Sequence, residues 1–363
     1  MKPTVRNIAE RANVSIASVS LVLNNKPSRI TEATRQKIIE AAKELGYNFE
    51  EKKKNEELSI ENVCNNFEKK SIIGVIRPRY YNEFLDACQK GIDEYCQIYG
   101  YRTVTCTVND TTEQTLDRIR FLTDIKVSGL IVVPSMDMNI EDNNEKLGWA
   151  LKNSGIPFLL LDQAVDRVYC DFITADNKSG GYMATEYLIH SGHDKIGMIV
   201  GAREVYTCRK RIEGYKEALA FHNISIKEEY IFYGQYKRQT GYEGMKYLNS
   251  LGVHAVFAYD DEIALGVYQY AQEQGLTIGE DISIVGFNDL YVTTVLSPPL
   301  TTIEQPGELM GKKACETIIN RITGKDKNPI RNTYFAPALI ERKSVKIYNN
   351  CLLYTSPSPR DRG

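Results

Sequence analysis

From Ser71 onward, short apolar runs alternate with longer amphipathic segments, and this alternation constrains the fold more than any other feature of the chain. Such a pattern is typical of parallel βα units, in which a crossover helix follows each strand. The pattern begins again after Asp176, which predicts two open parallel sheets in two lobes. The predicted strands are Ile72–Ile76, Thr103–Val108, Leu130–Val133, Phe158–Leu161, Ile196–Val200, Tyr230–Tyr233, Ala255–Ala258 and Ile282–Val285.

Between the first two strands, apolar residues recur at spacings of three or four, as a helix with one buried face requires. In open parallel sheets, ligands bind beyond the carboxyl ends of the strands. The cleft between the two lobes is therefore the expected ligand site. The residues of the predicted helical stripe are Phe84, Cys88, Ile92, Tyr95 and Tyr99.

Residues 4–46 have a different pattern, which predicts three short helices. The helices begin at Thr4, Ser15 and Thr31, residue types that accept hydrogen bonds from the free N–H groups of a helix start. Gly46 ends the third helix. Apolar residues at helical spacing converge into one small core; they are Ile8, Ala9, Ala12, Val19, Val22, Leu23, Ile38, Ala41, Ala42 and Leu45.

Charge is distributed unevenly along the chain. Residues 1–48 carry eight Lys and Arg side chains against four Glu, a net charge of +4, whereas the formal net charge of the whole chain is −2. The remaining residues therefore carry −6. A small basic segment joined to a larger acidic body predicts a polyanionic partner for the N-terminal end alone.

Residues 49–70 form a linker between the two patterns. Charged side chains crowd positions 50–57 and apolar residues are few. Two interpretations stay open, a solvated charged segment and a helix that orders only on a polyanion such as DNA. At the other end, residues 347–363 form a tail, which we expect to be non-native from Cys351 because its composition changes abruptly there.

The composition argues against several protein classes. No apolar run approaches the roughly 20 residues that cross a bilayer, and residues 1–11 lack the apolar core of a signal peptide, so we expect a cytoplasmic protein. The eight cysteines include no C-x-x-C pair and the four histidines show no metal-ligand spacing, which predicts reduced thiols and no metal. No G-x-G-x-x-G or Walker sequence follows the first strand, so we expect neither a cofactor nor an enzyme.

A helix-turn-helix is indicated by residues 14–24, where short polar side chains begin the second predicted helix. A helix that enters the major groove of DNA needs such side chains at its N-terminal end and small apolar residues on the opposite face. The stretches NIAERANVSIASVSLVLNNK and ITEATRQKIIEAAKELGY resemble the N-terminal domain of the lactose-repressor (LacI/GalR) family, over nearly all of residues 4–47.

The resemblance implies which residues contact DNA. Ile16 and Ala17 match the positions that reach into the major groove, where apolar contact with a thymine methyl group is available. Leu21 stands where many members have an arginine, so direct readout of guanine from there is not expected. Packing against neighbouring helices is the alternative for these three residues. Phosphate contacts are implied for Thr4, Ser15, Ser18, Ser20, Asn24, Arg29 and Thr34.

The family also places a short hinge helix in the linker, with a leucine that enters the minor groove at the operator centre. The linker of this chain is longer and acidic. Leu58 and Phe67 are the candidates for the inserted side chain, although neither has the expected spacing.

The resemblance extends to about Ser344, through ADNKSGGYMATEYLIHSGHDKIGMIVG, RIEGYKEAL, AYDDEIALGVYQYAQEQGLTIGEDISIVGFND, SPPLTTIEQP and ALIERKS. It implies a periplasmic-binding-protein-like domain over residues 71–346 that dimerises and binds a small effector, commonly a sugar or a purine. Arg211, Asp260 and Asn288 match the effector contacts. A neutral polyol suits them, since Arg211 donates hydrogen bonds, Asp260 accepts them and Asn288 does both.

Other residues near these positions have competing interpretations. Candidates for an apolar wall of the effector site, with ordinary helix packing as the alternative, are Tyr80, Tyr81 and Phe84. For Arg211 the alternative is an ion pair with Glu213 or Glu217 on one helix. Asp261 and Asp289, each next to a proposed contact, are assigned to capping or turn roles.

The expected fold is an N-terminal all-α helix-turn-helix domain, residues 1–48, followed by the linker and an α/β domain with two open parallel-sheet lobes. The expected function is that of a sequence-specific transcription regulator, a repressor, that binds double-stranded operator DNA as a homodimer, with a tetramer left open. A small effector, a sugar, controls it. The alternative is a solute-binding protein without a transcriptional role, against which the basic three-helix segment argues.

Overall fold

The computed structural model describes residues 5–23, 30–45, 72–79, 82–109, 111–140, 142–325 and 329–348. The chain divides into two compact units, Met1–Glu68 and Lys69–Gly363, and each is described by itself. The hinge candidates Leu58 and Phe67 and residues 349–363 of the tail lie outside the described ranges. Within those ranges no helix is long and apolar enough to span a membrane.

The described part of the first unit contains three helices around one small core. The turn between the first two bends at Asn13, whose φ of 53° lies in the left-handed region that asparagine tolerates. Thr31 caps the third helix by accepting a hydrogen bond from the Thr34 N–H, as predicted. The helices are α1 (Val5–Ala12), α2 (Ile16–Leu23) and α3 (Glu32–Glu44). The buried core side chains, all of them predicted, are Ile8, Ala9, Val19, Val22, Ile38, Ala41 and Ala42.

The first lobe of the second unit contains a six-stranded sheet in which every pairing is parallel. Its strands are β1 (Ile72–Pro78), β2 (Arg102–Val108), β3 (Gly129–Val132), β4 (Phe158–Leu161), β5 (Asp171–Ala175) and β11 (Asn332–Phe335). The spatial order is β11-β5-β4-β3-β1-β2. The direction of the strand order reverses at β1, which lies between β2 and β3, and such a reversal is where open α/β sheets bind ligands.

Four long helices accompany this sheet: α4 (Glu83–Ile98), α5 (Thr112–Asp124), α6 (Asn143–Asn153) and α12 (Gly307–Ile322). The last of them packs against α4 and against β3, β4 and β5. A part of the chain beyond residue 306 therefore returns to the first lobe and completes its core. The sequence pattern, which assigns everything after Asp176 to the second lobe, does not predict this return.

The second lobe contains a four-stranded parallel sheet in the order β7-β6-β8-β9. Its strands are β6 (Ile196–Val200), β7 (Ile231–Tyr233), β8 (Ala255–Ala258) and β9 (Ser283–Val285). The helices of this part are α7 (Asn177–His190), α8 (Tyr206–Phe221), α9 (Arg238–Ser250), α10 (Asp261–Gln274) and α11 (Val292–Val295), with a 3-10 turn at Glu228–Tyr230. A separate antiparallel pair joins β10 (Thr302–Glu304) to β12 (Ala338–Ile340).

The expected fold class is confirmed. Three of the eight predicted strands have the observed ends, and the other five differ at their ends by one or two residues. The helical stripe needs a correction, because Tyr99 ends α4 and is 47% exposed, while Cys96 is buried in its place. In the last turn of the helix, the buried stripe therefore continues through Cys96 and not through Tyr99.

Helices α7 and α8 approach each other closely at two glycines. A Cβ atom added to Gly181 would lie 2.3 Å from the carbonyl oxygen of Arg211, and one added to Gly214 would lie 2.0 Å from that of Lys178. No side chain fits at these distances, so both positions require glycine. The interpretation of Gly180-Gly181 as a helix-packing pair agrees with this contact, which fixes where Arg211 lies.

Candidate functional site

In the first unit, the predicted DNA contacts that the structure describes lie at helix starts. Ile16 is 53% exposed and so takes no part in the small core. The Ser15 hydroxyl accepts a hydrogen bond from the Ser18 N–H (3.0 Å) and thereby caps α2. Thr34 lies in the first turn of α3, where its hydroxyl is 2.9 Å from that of Thr31.

Other predicted DNA contacts lie outside the described part of the chain. This applies to three whole residues, Thr4, Asn24 and Arg29, and to the side chains of Ala17 and Ser20. The side chain of Leu21, from which no guanine readout is expected, lies outside the described part as well.

In the second unit, a cleft of about 530 Å³ lies between the lobes, beyond the carboxyl ends of strands from both sheets. The first lobe contributes residues that follow β1, β3 and β4, among them Phe84, Met136, Asp162 and Gln163. The second lobe contributes residues that follow β8 and β9 and residues of α8, among them Arg211, Tyr259, Asp260 and Asn288. The structure thus brings Phe84, Arg211, Asp260 and Asn288, four of the predicted effector residues, into one cleft.

Arg211 is buried, with 2% of its surface exposed, and its side chain has polar and aromatic partners on several sides. Its Nε donates to Asn177 Oδ1 (2.9 Å) and its Nη1 donates to the carbonyl oxygen of Tyr259 (2.6 Å). The guanidinium lies 3.5 Å from the ring centroid of Phe287, a cation–π contact. Two of its five N–H donors are used in these bonds, and the planar group is fixed in one orientation.

The alternative interpretation of Arg211, an ion pair with a neighbouring glutamate, is excluded by these contacts. The two glutamates pair with lysines instead: Glu213 with Lys210 (2.8 Å) and Glu217 with Lys178 (2.6 Å).

Among the carboxyl groups that line the cleft, one from each lobe has a raised pKa. Burial raises the pKa of Asp162 to about 6, against the lowering effect of the Arg211 charge. Burial likewise raises the pKa of Asp260 to about 6, against the hydrogen bond from the Ile263 N–H and the Arg211 charge. Both groups are hydrogen-bond acceptors when ionised and acquire a donor when protonated.

Asn288 and Gln305 add two amides to the wall of the cleft. Gln305 Nε2 donates to Asn288 Oδ1 (2.7 Å). Gln305 is 7% exposed, and its Oε1 has no hydrogen-bond partner among the described residues. Asn288 has a φ of 109°, a sparsely populated conformation that costs a non-glycine residue free energy. A ligand hydroxyl is the kind of group that would satisfy the free Gln305 oxygen.

Hydrogen bonds join the two lobes beside the cleft. Gln163 of the first lobe donates through Nε2 to Thr207 Oγ1 (3.0 Å), which is 2.6 Å from the Tyr259 hydroxyl oxygen. The Tyr291 N–H also donates to a Glu83 carboxylate oxygen (2.6 Å). Polar contacts between the lobes, to which the Arg209–Asp166 ion pair (3.1 Å) also belongs, thus help to hold the angle between them.

The cleft also contains residues that the sequence does not single out, among them Asp162, Gln163 and Gln305. Asp162 directly follows the predicted strand that ends at Leu161. Because ligands bind beyond the carboxyl ends of such strands, this position indicates that Asp162 lines the cleft. Phe84 fits both of its interpretations, because it is buried in the core of the first lobe and also lines the cleft. Tyr80 and Tyr81 lie outside the described residues.

Asp261 and Asp289 have structural contacts, but these join distant parts of the chain, and it is Asp260, not Asp261, that caps α10. Asp261 is fully buried and accepts hydrogen bonds from the Leu290 N–H (2.9 Å) and the Thr302 hydroxyl (2.7 Å). Asp289 pairs with Arg342 at 2.7 Å.

Two family profiles match the chain. The profile of bacterial regulatory proteins of the lacI family matches residues 4–48, and that of the periplasmic binding protein-like domain matches residues 185–345. Among curated relatives, the HTH-type transcriptional repressor PurR of Aliivibrio salmonicida (strain LFI1238) is 32% identical over 346 residues, which cover 94% of this chain and 98% of the relative.

Solved structures resemble the fold as well. A complex of the transcriptional regulator CelR with cellobiose is 25% identical, with a TM-score of 0.67, and the match covers 94% of this chain and 99% of that one. A LacI family transcriptional regulator from Enterococcus faecium with bound ribose is 27% identical, with a TM-score of 0.67, and covers 77% of this chain and 100% of its own. The expectation that the chain is not an enzyme agrees with these relatives.

The stability of the second unit should depend on pH through Asp261. Burial raises the pKa of this carboxyl to about 8 from its ordinary value of 3.8, although two donors stabilise the ionised form. The folded protein then binds a proton that the unfolded chain releases, so the free energy of unfolding falls as the pH rises from 3.8 to about 8. Asp261→Asn, which mimics the neutral acid, should flatten this decline above about pH 6.5.

Urea unfolding at several pH values measures the effect, and Asp281→Asn, a change at an exposed carboxyl of the same lobe, is the control. Equal pH dependence of the wild type and Asp261→Asn between about pH 6.5 and pH 8 would show that the Asp261 carboxyl is already ionised.

Proposed function

We propose that a sugar bound in the inter-lobe cleft controls the affinity of this protein for operator DNA. The chain belongs to the lacI family of bacterial regulatory proteins and is a DNA-binding transcriptional repressor. Residues 1–48 are the DNA-binding domain, residues 49–70 the linker, and residues 71–346 the effector-binding and dimerisation domain. The repressor acts in the cytoplasm. The observation that carries the proposal is the set of guanidinium, carboxyl and amide groups that line one cleft from both lobes.

The lining of the cleft suits a polyol. A sugar presents several hydroxyl groups, each of which both donates and accepts, and the cleft offers donors on Arg211, acceptors on Asp162 and Asp260, and amides on Asn288 and Gln305. The Phe84 side chain adds an apolar surface for the carbon face of a sugar ring. Two similar proteins are regulators whose structures contain cellobiose and ribose, which supports the choice of a sugar.

The sugar would act by changing the angle between the lobes. A ligand shifts a conformational equilibrium only by its difference in affinity for the two states. A ligand that contacts both lobes meets this condition, because opening the cleft breaks half of its contacts. Couplings of this kind are typically worth about 1–3 kcal/mol. In a homodimer, the change reaches two recognition helices that bind the half-sites of one operator.

The exposed Ile16 should contribute to operator affinity without contributing to stability. Ile16→Ala is expected to weaken specific operator binding by roughly 1–3 kcal/mol, the usual cost of losing a base contact, and to change the free energy of unfolding by less than about 0.5 kcal/mol. The buried Ile38 gives the contrast, since Ile38→Ala should destabilise the helical core by about 2–4 kcal/mol.

Fluorescence anisotropy with operator and scrambled DNA measures affinity, and hydrogen exchange of residues 5–45 in the full chain measures local stability. Gln36→Ala, at an exposed position on α3, is the control. Unchanged operator affinity of Ile16→Ala would remove this residue from the DNA-reading surface.

A thermal-shift screen of sugars and nucleobases identifies the class of effector. A sugar that binds only the folded protein should raise the midpoint of unfolding in proportion to the logarithm of its concentration. The same sugar should then change operator affinity by about fivefold or more. A nucleobase that shifts the midpoint where no sugar does would contradict the proposed sugar class.

The fixed fork of Arg211 should be needed for the effector response. Arg211→Lys keeps the charge but cannot make two parallel hydrogen bonds, so the effector affinity should fall at least tenfold, or about 1.4 kcal/mol, while operator binding persists. Lys210→Ala, on the same helix but paired with Glu213 at the surface, is the matched control and should respond normally.

Asn288→Ala provides a second test that leaves the buried Arg211 network intact. A full effector response in both Arg211→Lys and Asn288→Ala would show that the sugar does not bind in this cleft.

A further inference from the structure

Three metal-ligating side chains meet where α7 and α8 end, away from the cleft lining. Glu186 and His190 lie one turn apart on α7, and His222 follows the last residue of α8. One ligand atom from each residue lies within 4.8 Å of the other two. Residues 190 and 222 are far apart along the chain, so no spacing in the sequence indicates this group.

The three side chains are partly open to solvent and already interact. His222 Nε2 lies 3.4 Å from Glu186 Oε1, with side chains that are 21% and 31% exposed. The imidazole centroids of His190 and His222 are 5.2 Å apart, with their planes nearly perpendicular. A metal ion from solution could therefore reach all three ligand atoms without any opening of the core.

The backbone beneath these side chains is held firmly. The glycine contacts between α7 and α8 bring the helix axes close together, and Tyr215 of α8 is fully buried with its hydroxyl donating to the Ile196 carbonyl oxygen (2.7 Å). The Lys178–Glu217 ion pair joins the same two helices. The three ligands are thus attached to a rigid frame, and only their side-chain torsions remain to be set.

We propose that Glu186, His190 and His222 bind one Zn²⁺ ion that joins the end of α7 to the end of α8. Two imidazole nitrogens and a carboxylate oxygen form a set of three protein ligands that zinc accepts, with water as the fourth ligand. At Zn–ligand distances of about 2.1 Å the ligand atoms would lie roughly 3.4 Å from one another. Side-chain rotations that move these atoms by about 1 Å therefore complete the site. Nitrogen ligands favour zinc over Mg²⁺ or Ca²⁺, which prefer oxygen.

The bound ion would have a structural role. It bridges two helices that also meet at Asn177 and Arg211, so it stabilises the frame on which the cleft guanidinium is mounted. Because the site requires the folded arrangement of both helices, Zn²⁺ should bind the folded chain more tightly than the unfolded one and raise the unfolding midpoint.

The test is a titration of the full chain with Zn²⁺ alone, followed by calorimetry and by thermal unfolding. The wild type should bind one Zn²⁺ at this site and gain about 5 °C in unfolding midpoint at a concentration one hundred times Kd. Glu186→Gln should lose at least about tenfold in affinity, and His190→Ala/His222→Ala should lose this binding altogether. His254→Ala, which removes another exposed histidine, is the control and should bind as the wild type does.

Substitution by Co²⁺ distinguishes this site from binding by cysteine. The proposed ligands give ligand-field bands without thiolate-to-metal charge transfer, and the bands should disappear in the double variant. Operator binding and the metal-free unfolding midpoint establish that each variant is folded. Equal Zn²⁺ affinity of the wild type and the double variant, or charge-transfer bands that persist in that variant, would place the ion elsewhere and overturn the proposal.

Discussion

The close contact of α7 with α8 is the constraint on which the rest of the second lobe depends. Because Gly181 and Gly214 have no side chains, backbone meets backbone, and Arg211 is placed directly over Phe287 with its guanidinium against Asn177. A larger residue at either glycine would separate the helices and withdraw that guanidinium from the cleft. The same contact brings His222 to Glu186. One packing interaction therefore positions two groups of polar side chains whose chemistry is unrelated.

The fold could be predicted from the sequence at most of the buried strands, although β5 (Asp171–Ala175), which is fully buried, was not predicted. Phe158–Leu161, Ile196–Val200 and Ala255–Ala258 are continuous apolar runs in the middle of sheets, and their ends agree with the structure. β11 (Asn332–Phe335) escaped prediction because it is an edge strand with alternating exposure and pairs with β5, which lies far from it in sequence. Local patterns carry no information about such a return of the chain.

The residues of the site also fall into two groups, those that the sequence predicts and those that only the fold brings together. A resemblance of sequence predicts Arg211, Asp260 and Asn288, whereas Asp162 and Gln305 come together with them only because strands of two lobes end at one cleft. The same limit applies to His190 and His222, whose proximity follows from helix packing and not from spacing. The chemical type of each residue is known from the sequence, whereas the proximity of residues far apart in the chain depends on the topology of the fold.

Several groups in the wall of the cleft have unfavourable surroundings, which favours the binding of a polar ligand. Asp162 and Asp260 have raised pKa values because water is displaced around them, Gln305 Oε1 is buried without a partner among the described residues, and Asn288 has a φ of 109°. Each feature costs free energy. A polar ligand that supplies hydrogen bonds to these groups recovers part of that cost only while both lobes surround it. The ligand therefore favours one lobe angle over another, and this difference in affinity is what a repressor needs to convert binding into release or retention of DNA.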